Sequence, residues 1–392
     1  MRLLVSAGEA SGELYGAGLI QALRRRVPEL ECFGAGGDAM RAAGCDTVVD
    51  ARALSVVGIT EIVSHLPGIY REFRRLLRAA DERKPDAAIV IDSPAFNFKV
   101  ARAMHARGVP VIYYVCPQLW AWREGRVRRF HRWVKKALVI FPFEEKWYRD
   151  HGVEAEYVGH PLADVSRPAT ERESFGRQNL LDPARTWIAL LPGSRWKEIQ
   201  LNLPVMVRAA ALLNSGSPKD RLPYQFILPV ASVIHRARLE NLLDNLIRRT
   251  ASEVGDITFV DEAWEALSHA RAAVVASGTA TVEAALAGTP MVVVYRVSAL
   301  TWALGHRLIK VPYVAMPNLI AGEHVVPELI QSDFMPENVA AKLGEILAEG
   351  PARERMKSAL AEVSARLRSA GEAGTAAERA AEAVLRTLLT SK

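Results

Sequence analysis

A run of small and apolar residues in the second half of the chain predicts a strand, a tight turn and a helix in immediate succession. The apolar run Ala272–Val275 leads into the turn formed by Ser277, Gly278 and Thr279, and a second apolar run, Met291–Tyr295, follows a Gly-Thr-Pro break. A helix that begins in such a turn offers free backbone N–H groups, two hydroxyls and the positive end of its dipole, which together favour phosphate. Glu283 stands about one helical turn further on, where a carboxylate can reach a ribose. The segment therefore predicts a site for a nucleoside diphosphate.

The same alternation of apolar runs and helical patterns recurs along both halves of the 392-residue chain. Continuous apolar runs such as Ala87–Ile91 and Val111–Val115 indicate parallel strands that are covered on both faces. The alternation lapses between about residues 159 and 185 and restarts at Trp187–Leu191. We therefore expect an α/β protein with two Rossmann-like doubly wound domains that face a cleft.

The expected boundaries follow from where the alternation stops. Residues 1–170 form the first domain and residues 186–350 the second. The remaining segment, residues 351–392, is rich in Ala, Glu and Arg without a strand pattern. We expect it to form helices that pack back on the first domain.

Composition limits the class of protein without choosing a function. A net charge of +6 and a pI near 9.3 fit nucleic acid, anionic substrates or a negative membrane surface alike. Cys32, Cys45 and Cys116 have no metal-ligand spacing, which favours a reducing compartment. No apolar run approaches the roughly 18 residues that a membrane span requires. The sequence also lacks H-E-x-x-H, C-x-x-C and D-x-D motifs, so we expect neither a metal nor a cofactor.

Two loops at the ends of first-half strands are candidate substrate sites. Asp92 directly follows the apolar run Ala87–Ile91, so its carboxylate is expected at the carboxyl edge of the sheet. It is either the N-cap of the next helix or a general base whose pKa is raised by partial desolvation. The glycine-bearing loop after the first strand either packs its helix on the sheet or lets a sugar or acyl substrate approach the backbone at Gly8 and Gly12.

A second anion-type turn closes the first strand of the second domain. It consists of Pro192 followed by Gly193, Ser194 and Arg195. An arginine there supplies a delocalised charge and a two-pronged donor for a diphosphate leaving group. The plainer interpretation is a solvated arginine in a turn, but two phosphate-type turns in one domain are more specific than either alone.

A basic and aromatic segment spans residues 120–136. Tryptophan together with arginine suits a membrane interface or a stacked base, and we expect membrane contact at Trp120, Trp122, Arg123 and Arg126. Leu54–Tyr70 is a second apolar surface that could serve the same purpose. The plainer alternatives are a solvated basic helix and core burial.

Taken together, these residues resemble the lipid-A-disaccharide synthases, inverting glycosyltransferases of the GT-B class. The resemblance runs from Ala7 to about Leu329, and the joint order of its motifs is specific. The segments that carry it are Ala7–Glu13, Val57–Glu61, Ile91–Asn97, Tyr114–Arg123, Phe141–Glu144, Gly159-His160, Leu191–Arg195, Ala276–Ala280, Tyr295-Arg296 and Pro317–Gly322.

The resemblance implies a reaction and roles for the candidate residues. UDP-2,3-diacylglucosamine and 2,3-diacylglucosamine 1-phosphate would give a β-1,6-linked disaccharide 1-phosphate and UDP. Asp92 would be the base, while Arg195 and the Ser277–Thr279 turn would stabilise departing UDP. Glu283 would bind the ribose, and Asn318 would line the donor site. The residues that would bind the acceptor are Gly8, Glu9, Ser11, Gly12 and Asn97.

The chain departs from the family pattern at three positions. Ala95 and Glu13 stand where the family commonly has Asp, and Cys116 stands where it commonly has Ser. Because Ala95 cannot ionise, Asp92 is the better candidate for the base.

The resemblance also implies a place and partners. The enzyme would be cytoplasmic and peripheral on the inner face of a Gram-negative inner membrane, without nucleic acid as a partner. The C-terminal helices, which have no other assigned role, are the candidate contact for a homodimer.

Two alternative functions remain at this point. One is another GT-B UDP-sugar enzyme, such as a peptidoglycan glycosyltransferase or a UDP-sugar 2-epimerase. The other is a non-enzymatic binding protein.

Overall fold

A computed structural model describes most of the chain. The described residues are 1–54, 59–122, 124–165, 170–215, 223–231, 233–250, 254–298, 301–303, 311–368 and 373–390. They divide into two compact units, one of Met1–Asp164 with Leu367–Lys392 and the other of Val165–Arg366.

The first unit is built on a seven-stranded sheet in which every paired strand is parallel. Its strands are β1 (Arg2–Ala7), β2 (Glu31–Gly36), β3 (Cys45–Asp50), β4 (Ala87–Ile91), β5 (Val111–Tyr114), β6 (Lys136–Val139) and β7 (Ala155–Tyr157), in the order β3-β2-β1-β4-β5-β6-β7. Its helices up to the domain boundary are α1 (Ala10–Arg26), α2 (Asp38–Ala42), α3 (Ile59–Arg83), α4 (Pro94–His105), α5 (Leu119–Trp122), α6 (Val127–Trp133), α7 (Pro142–Asp150) and α8 (Pro161–Asp164), with short 3-10 turns at Ala51–Ala53 and Glu124–Arg126. The central strand β4 is fully buried, as expected of an all-apolar parallel strand.

The second unit has a six-stranded parallel sheet. Its strands are β8 (Thr186–Leu191), β9 (Tyr224–Pro229), β10 (Ile257–Val260), β11 (Ala272–Ala276), β12 (Met291–Tyr295) and β13 (Glu328–Ile330), in the order β10-β9-β8-β11-β12-β13. Its helices are α9 (Arg172–Gln178), α10 (Trp196–Asn214), α11 (Arg236–Arg249), α12 (Ala263–His269), α13 (Thr279–Leu286), α14 (Met316–Ala321), α15 (Pro336–Leu347) and α16 (Pro351–Leu367). The predicted α/β class with two doubly wound, Rossmann-like units is confirmed.

The C-terminal segment divides between the two units. Helix α16 lies with the second unit, where the Met356 sulfur accepts from the Met291 N–H and Arg353 donates to the Arg271 carbonyl. The last helix, α17 (Ala376–Leu389), lies with the first unit and packs on α1. Its buried face is largely alanine, which lets two helix backbones approach closely. Only the second of these helices therefore lies where the sequence analysis placed the whole of residues 351–392.

Candidate active site

The strand order of each sheet reverses at its central pair of strands. In the first unit the reversal lies between β1 and β4, and in the second unit between β8 and β11. Loops that leave such a pair diverge to opposite faces of the sheet and open a crevice at its carboxyl edge, where doubly wound proteins bind ligands. All four loops selected from the sequence follow these four strands.

In the first unit, the loop after β1 lies against the loop after β4. A Cβ added to Gly8 would stand 2.5 Å from Ser93 Oγ, so only glycine allows this approach. A Cβ on Gly12 would lie 3.7 Å from the Asp92 Cβ. Glu9 is exposed and Ser11 is half-buried beside them. The structure thus brings Gly8, Glu9 and Gly12 together with Asp92.

The Asp92 carboxyl has the electrostatics of a base for neutral pH. Burial raises its pKa to about 6, and the negative charge of Glu9 adds to the shift, while the Ser93 N–H opposes it. Its side chain is nevertheless half-buried rather than sealed. A carboxylate with a raised pKa and access to solvent can accept a proton from a hydroxyl.

Asn97 lies in this loop cluster but does not face a substrate. It is fully buried, and its amide nitrogen donates to the backbone carbonyls of Ile91 (2.8 Å) and Asp92 (2.9 Å). Its amide oxygen accepts from the Ser6 hydroxyl at 2.7 Å. The expected acceptor contact at Asn97 is therefore corrected: its hydrogen-bonding groups are used to hold the protein's own backbone.

In the second unit, the turn after β8 exposes Ser194 and Arg195 at the start of α10. The Arg195 side chain is 77 % exposed and has one long contact, 3.5 Å, with Glu198. Glu198 also accepts from the Arg195 backbone N–H at 3.3 Å. The guanidinium is thus tethered loosely and is able to turn toward an anion.

The neighbouring turn after β11 has the form that the sequence predicted. Gly278 and Thr279 are exposed at the start of α13, which has no side-chain cap. The Ser277 hydroxyl, by contrast, donates to the Val314 carbonyl at 2.8 Å. Glu283 is half-buried one turn into the helix. The first N–H groups of α13 and the Thr279 hydroxyl are therefore the donors available to an anion.

Asn318 is placed differently from the expectation. It is fully buried on α14, and its amide nitrogen donates to the Val326 carbonyl and to Glu328. Its oxygen accepts from the N–H groups of Val325 and Val326. A role lining the donor site is corrected to a role in holding the 314–328 segment, from which the Val314 carbonyl reaches Ser277.

Glycine at position 193 is required by the turn. Its φ is +120°, and an added Cβ would stand 2.6 Å from Glu198 Oε2. We expect Gly193→Ala to lower the free energy of unfolding by about 1–3 kcal/mol because it adds backbone strain and displaces Glu198. Gly344→Ala is the matched control: it lies in α15 with open space around the added Cβ and is expected to stabilise by about 0.5–1 kcal/mol. Urea unfolding measures both, and a neutral Gly193→Ala would contradict this account of the turn.

The basic segment differs most from its expectation. Trp120 is buried, 6 % exposed, and its indole N–H donates to buried Glu144 at 2.9 Å. The expected membrane contact at Trp120 is therefore wrong, because α5 turns this ring inward. The spacing of tryptophan and arginine in the sequence could not show this orientation. Arg126 is exposed. The side chain of Trp122, all of Arg123, and most of the apolar surface at Leu54–Tyr70 lie outside the described residues.

An exposed basic face begins at Arg126, one of the expected residues, and continues along α6. In α6, Val127 and Phe130 are buried, whereas the arginines of the helix and Arg126 just before it are exposed. We call this the basic face; it consists of Arg126, Arg128, Arg129 and Arg132. Within the described part of the chain, these arginines have no carboxylate partner.

The described residues contain no group of three or more His, Cys, Asp or Glu side chains arranged to hold a metal ion. Among the same residues, no helix combines the length and the apolar character needed to cross a bilayer.

Solved structures with this fold include an epimerase bound to a sugar nucleotide and a glycosyltransferase. The UDP-GlcNAc 2-epimerase from Neisseria meningitidis bound to UDP-GlcNAc superposes with a TM-score of 0.64 at 11% identity over 100% of both chains. The calicheamicin glycosyltransferase CalG4 superposes with a TM-score of 0.61 at 16% identity, over 100% of this chain and 98% of that one. At such identities these likenesses establish the fold, which is that of GT-B enzymes.

Sequence relatives are much closer. The family model described as lipid-A-disaccharide synthetase matches residues 3–384. The lipid-A-disaccharide synthase of Koribacter versatilis (strain Ellin345) is 50% identical over 386 residues, which are 98% of each chain. That of Myxococcus xanthus (strain DK1622) is 46% identical over 388 residues, 99% of this chain and 97% of the other. These relatives do not favour the two alternative enzymes, a UDP-sugar 2-epimerase and a peptidoglycan glycosyltransferase. The chain belongs to the lipid-A-disaccharide synthase family, the glycosyltransferases of lipid A biosynthesis.

Proposed function

We propose that this chain transfers diacylglucosamine from UDP-2,3-diacylglucosamine to the 6-hydroxyl of 2,3-diacylglucosamine 1-phosphate. The products are the β-1,6-linked disaccharide 1-phosphate and UDP. The observation that carries the proposal is the half-buried Asp92 carboxyl at the strand-order reversal of the first sheet, with a pKa raised to about 6. Release of UDP that requires both acylated sugars tests it.

The transfer has one proton to move and one bond to exchange. Asp92 takes the proton of the acceptor hydroxyl as its oxygen attacks the anomeric carbon of the donor. The bond from that carbon to the diphosphate oxygen breaks, and its electron pair leaves with UDP. Attack opposite the leaving group converts an α-linked donor into a β-linked product.

The second unit would hold the leaving group. The exposed Arg195 guanidinium and the first N–H groups of α13 are donors that can meet the negative charge developing on the diphosphate. Glu283, one turn into α13, would accept from the ribose hydroxyls. These roles are supported by the adjacency of β8 and β11, which brings the two turns to the same edge of one sheet.

The pKa of Asp92 gives the reaction a pH dependence. Only the ionised carboxylate accepts a proton, so turnover is expected to fall about tenfold per pH unit below pH 6. A carboxylate with an ordinary pKa would put this limb near pH 4. Initial rates between pH 4.5 and 8 measure it, and a flat profile down to pH 5 would contradict the assignment.

We further propose that the chain works as a peripheral protein at the inner face of the inner membrane. Both sugars carry acyl chains, and the basic face supplies charge for anionic lipid headgroups. The exposed positions of its four arginines, with Val127 and Phe130 buried beneath, support this surface. A homodimer stays a prediction of the sequence.

Lipid binding by the basic face can be tested with vesicles. Arg128→Gln with Arg132→Gln is expected to lower partitioning onto phosphatidylglycerol vesicles about 30-fold, at about 1 kcal/mol for each charge lost. Arg208→Gln with Arg249→Gln is the matched control, because both arginines are exposed on helices of the second unit. Co-sedimentation measures the effect. Equal losses of vesicle binding in the two double variants would show a general effect of charge and would contradict lipid binding by the basic face.

A further inference from the structure

The backbone at Asp92 is held in an unfavourable conformation. Asp92 has a φ of +49° and Ser93 a φ of +44°. Two successive residues with side chains in the left-handed region are rare, and such strain persists only where surrounding contacts enforce it. Some feature of the first unit must therefore hold this turn.

Two buried side chains hold it from different elements. The Tyr113 hydroxyl on β5 donates to the Asp92 carbonyl at 2.7 Å. The Asn97 amide on α4 donates to the same carbonyl at 2.9 Å and to the Ile91 carbonyl at 2.8 Å. Both donor side chains are fully buried, so water has little access to the donor end of these bonds.

We call Tyr113 and Asn97 the clamp, and other contacts hold each of these two side chains in place. Asn97 is bonded to β1, since the Ser6 hydroxyl donates to its oxygen at 2.7 Å. The Tyr113 ring packs on Phe130 and Phe98, with centroid distances of 5.2 Å and 6.2 Å. The Asp92 carbonyl is thus held directly by β5 and α4, and through Asn97 by β1, so the backbone that carries the carboxylate is fixed from three elements.

We infer that Tyr113 and Asn97 are positioning residues for the catalytic carboxylate, acting through the backbone of Asp92. This inference rests on the proposed role of Asp92 as the base. Without the clamp the turn can relax toward ordinary backbone angles and move the carboxylate away from the acceptor hydroxyl. Misplacement by about 1 Å can cost about 10²-fold in rate.

The clamp also governs how far Asp92 is desolvated. Among the described residues, the charge that acts on its carboxylate is that of Glu9, from the loop before α1, while the Tyr113 hydroxyl on β5 bonds the backbone carbonyl of the same residue. Burial raises the pKa of Tyr113 well above its ordinary value, so the hydroxyl stays a protonated donor at every assay pH. A relaxed turn would expose the carboxylate to water, and the acid limb of the rate profile would move from about pH 6 toward pH 4.

The chain offers a matched control in the adjacent residue. Tyr114 is also fully buried on β5, but its hydroxyl has no hydrogen-bond partner among the described residues. Tyr113→Phe and Tyr114→Phe remove the same atom from neighbouring buried rings. Only the first removal breaks a bond to Asp92.

The experiment compares kcat, KM and the pH profile of these two variants. We expect Tyr113→Phe to lower kcat by about 10-fold to 10²-fold, with KM within twofold and the acid limb shifted downward. Tyr114→Phe should stay within twofold of the parent. Equal kcat values and acid limbs for the two variants would overturn the positioning role, because a packing effect would touch both.

The same assay separates this inference from the proposed function. If Asp92→Asn keeps the parental rate and acid limb, the base is misassigned, and the positioning role falls with it. If Asp92→Asn is inactive and Tyr113→Phe matches Tyr114→Phe, the base stands and only the positioning role is wrong. An Asn97→Ala variant with the same downward shift of the acid limb supports the clamp from its second element.

Discussion

Replacing Asp92 by asparagine is expected to slow sugar transfer by about 10²–10⁴-fold, the usual contribution of a general base. Asparagine keeps the shape of the side chain and tolerates the left-handed backbone at this position, but it cannot take the acceptor's proton. UDP binding should be unchanged, because the residues proposed to hold UDP belong to the second unit. Turnover is measured as UDP release, and UDP affinity by calorimetry.

The stability of the same variant tests whether unfolding causes the loss of rate. The folded-state pKa of Asp92, about 6, lies above the ordinary value near 4. Between these pH values the folded chain holds the proton more tightly than the unfolded chain, so this carboxyl costs stability as the pH rises. At pH 7.5 Asp92→Asn should therefore be more stable than the parent by about 1–3 kcal/mol, and the gain should vanish below about pH 4. A less stable variant at pH 7.5 would contradict the burial of this charge.

Replacing Arg195 by alanine is expected to lower kcat by about 10²–10³-fold, the scale of losing one donor to developing negative charge. Because the side chain is 77 % exposed and has one long contact with Glu198, its removal should leave the melting temperature nearly unchanged. Arg195→Lys should recover part of the rate, since it keeps the charge but loses the planar fork.

A control for Arg195 lies on the same helix. Arg208 is exposed on α10, and Arg208→Ala should leave kcat unchanged. Steady-state rates and thermal melts of Arg195→Ala, Arg195→Lys and Arg208→Ala measure these effects on turnover and stability. A large loss of stability in Arg195→Ala, or equal rates for Arg195→Ala and Arg208→Ala, would assign Arg195 a structural or neutral role instead.

Strand periodicity predicted most of the fold because buried parallel strands are continuous apolar runs. The strand Glu328–Ile330 was missed, since three residues beginning with a glutamate give no such run. The strand predicted to reach Val115 ends at Tyr114, where Val115 takes a φ of +55°. Helix α16 could not be assigned to a unit from its sequence, because an amphipathic pattern shows that a face is buried but not against what.

The site residues divide along a physical line. Asp92, Arg195 and Gly278 stay predictions; they were selected because a charge or a glycine at a strand end has few structural uses. Asn97 was selected for its place after a strand, and Asn318 from the family resemblance. Both amides instead hold the protein's own backbone, since an amide has both donor and acceptor groups and satisfies buried carbonyls well. Tyr113 gave no signal, because a tyrosine inside a buried strand looks like core until its hydroxyl is seen at the end of the neighbouring strand.

The central claim is that this chain transfers an acylated sugar from UDP with Asp92 as the base. The most direct test incubates the purified full chain, in detergent micelles, with UDP-2,3-diacylglucosamine and 2,3-diacylglucosamine 1-phosphate, and follows UDP and disaccharide by mass spectrometry. We expect equal amounts of both products from the parent chain, and near-background amounts from an Asp92→Asn variant that still binds UDP. Absence of UDP release by a parent chain that binds UDP, or parental rates in Asp92→Asn, would contradict the claim.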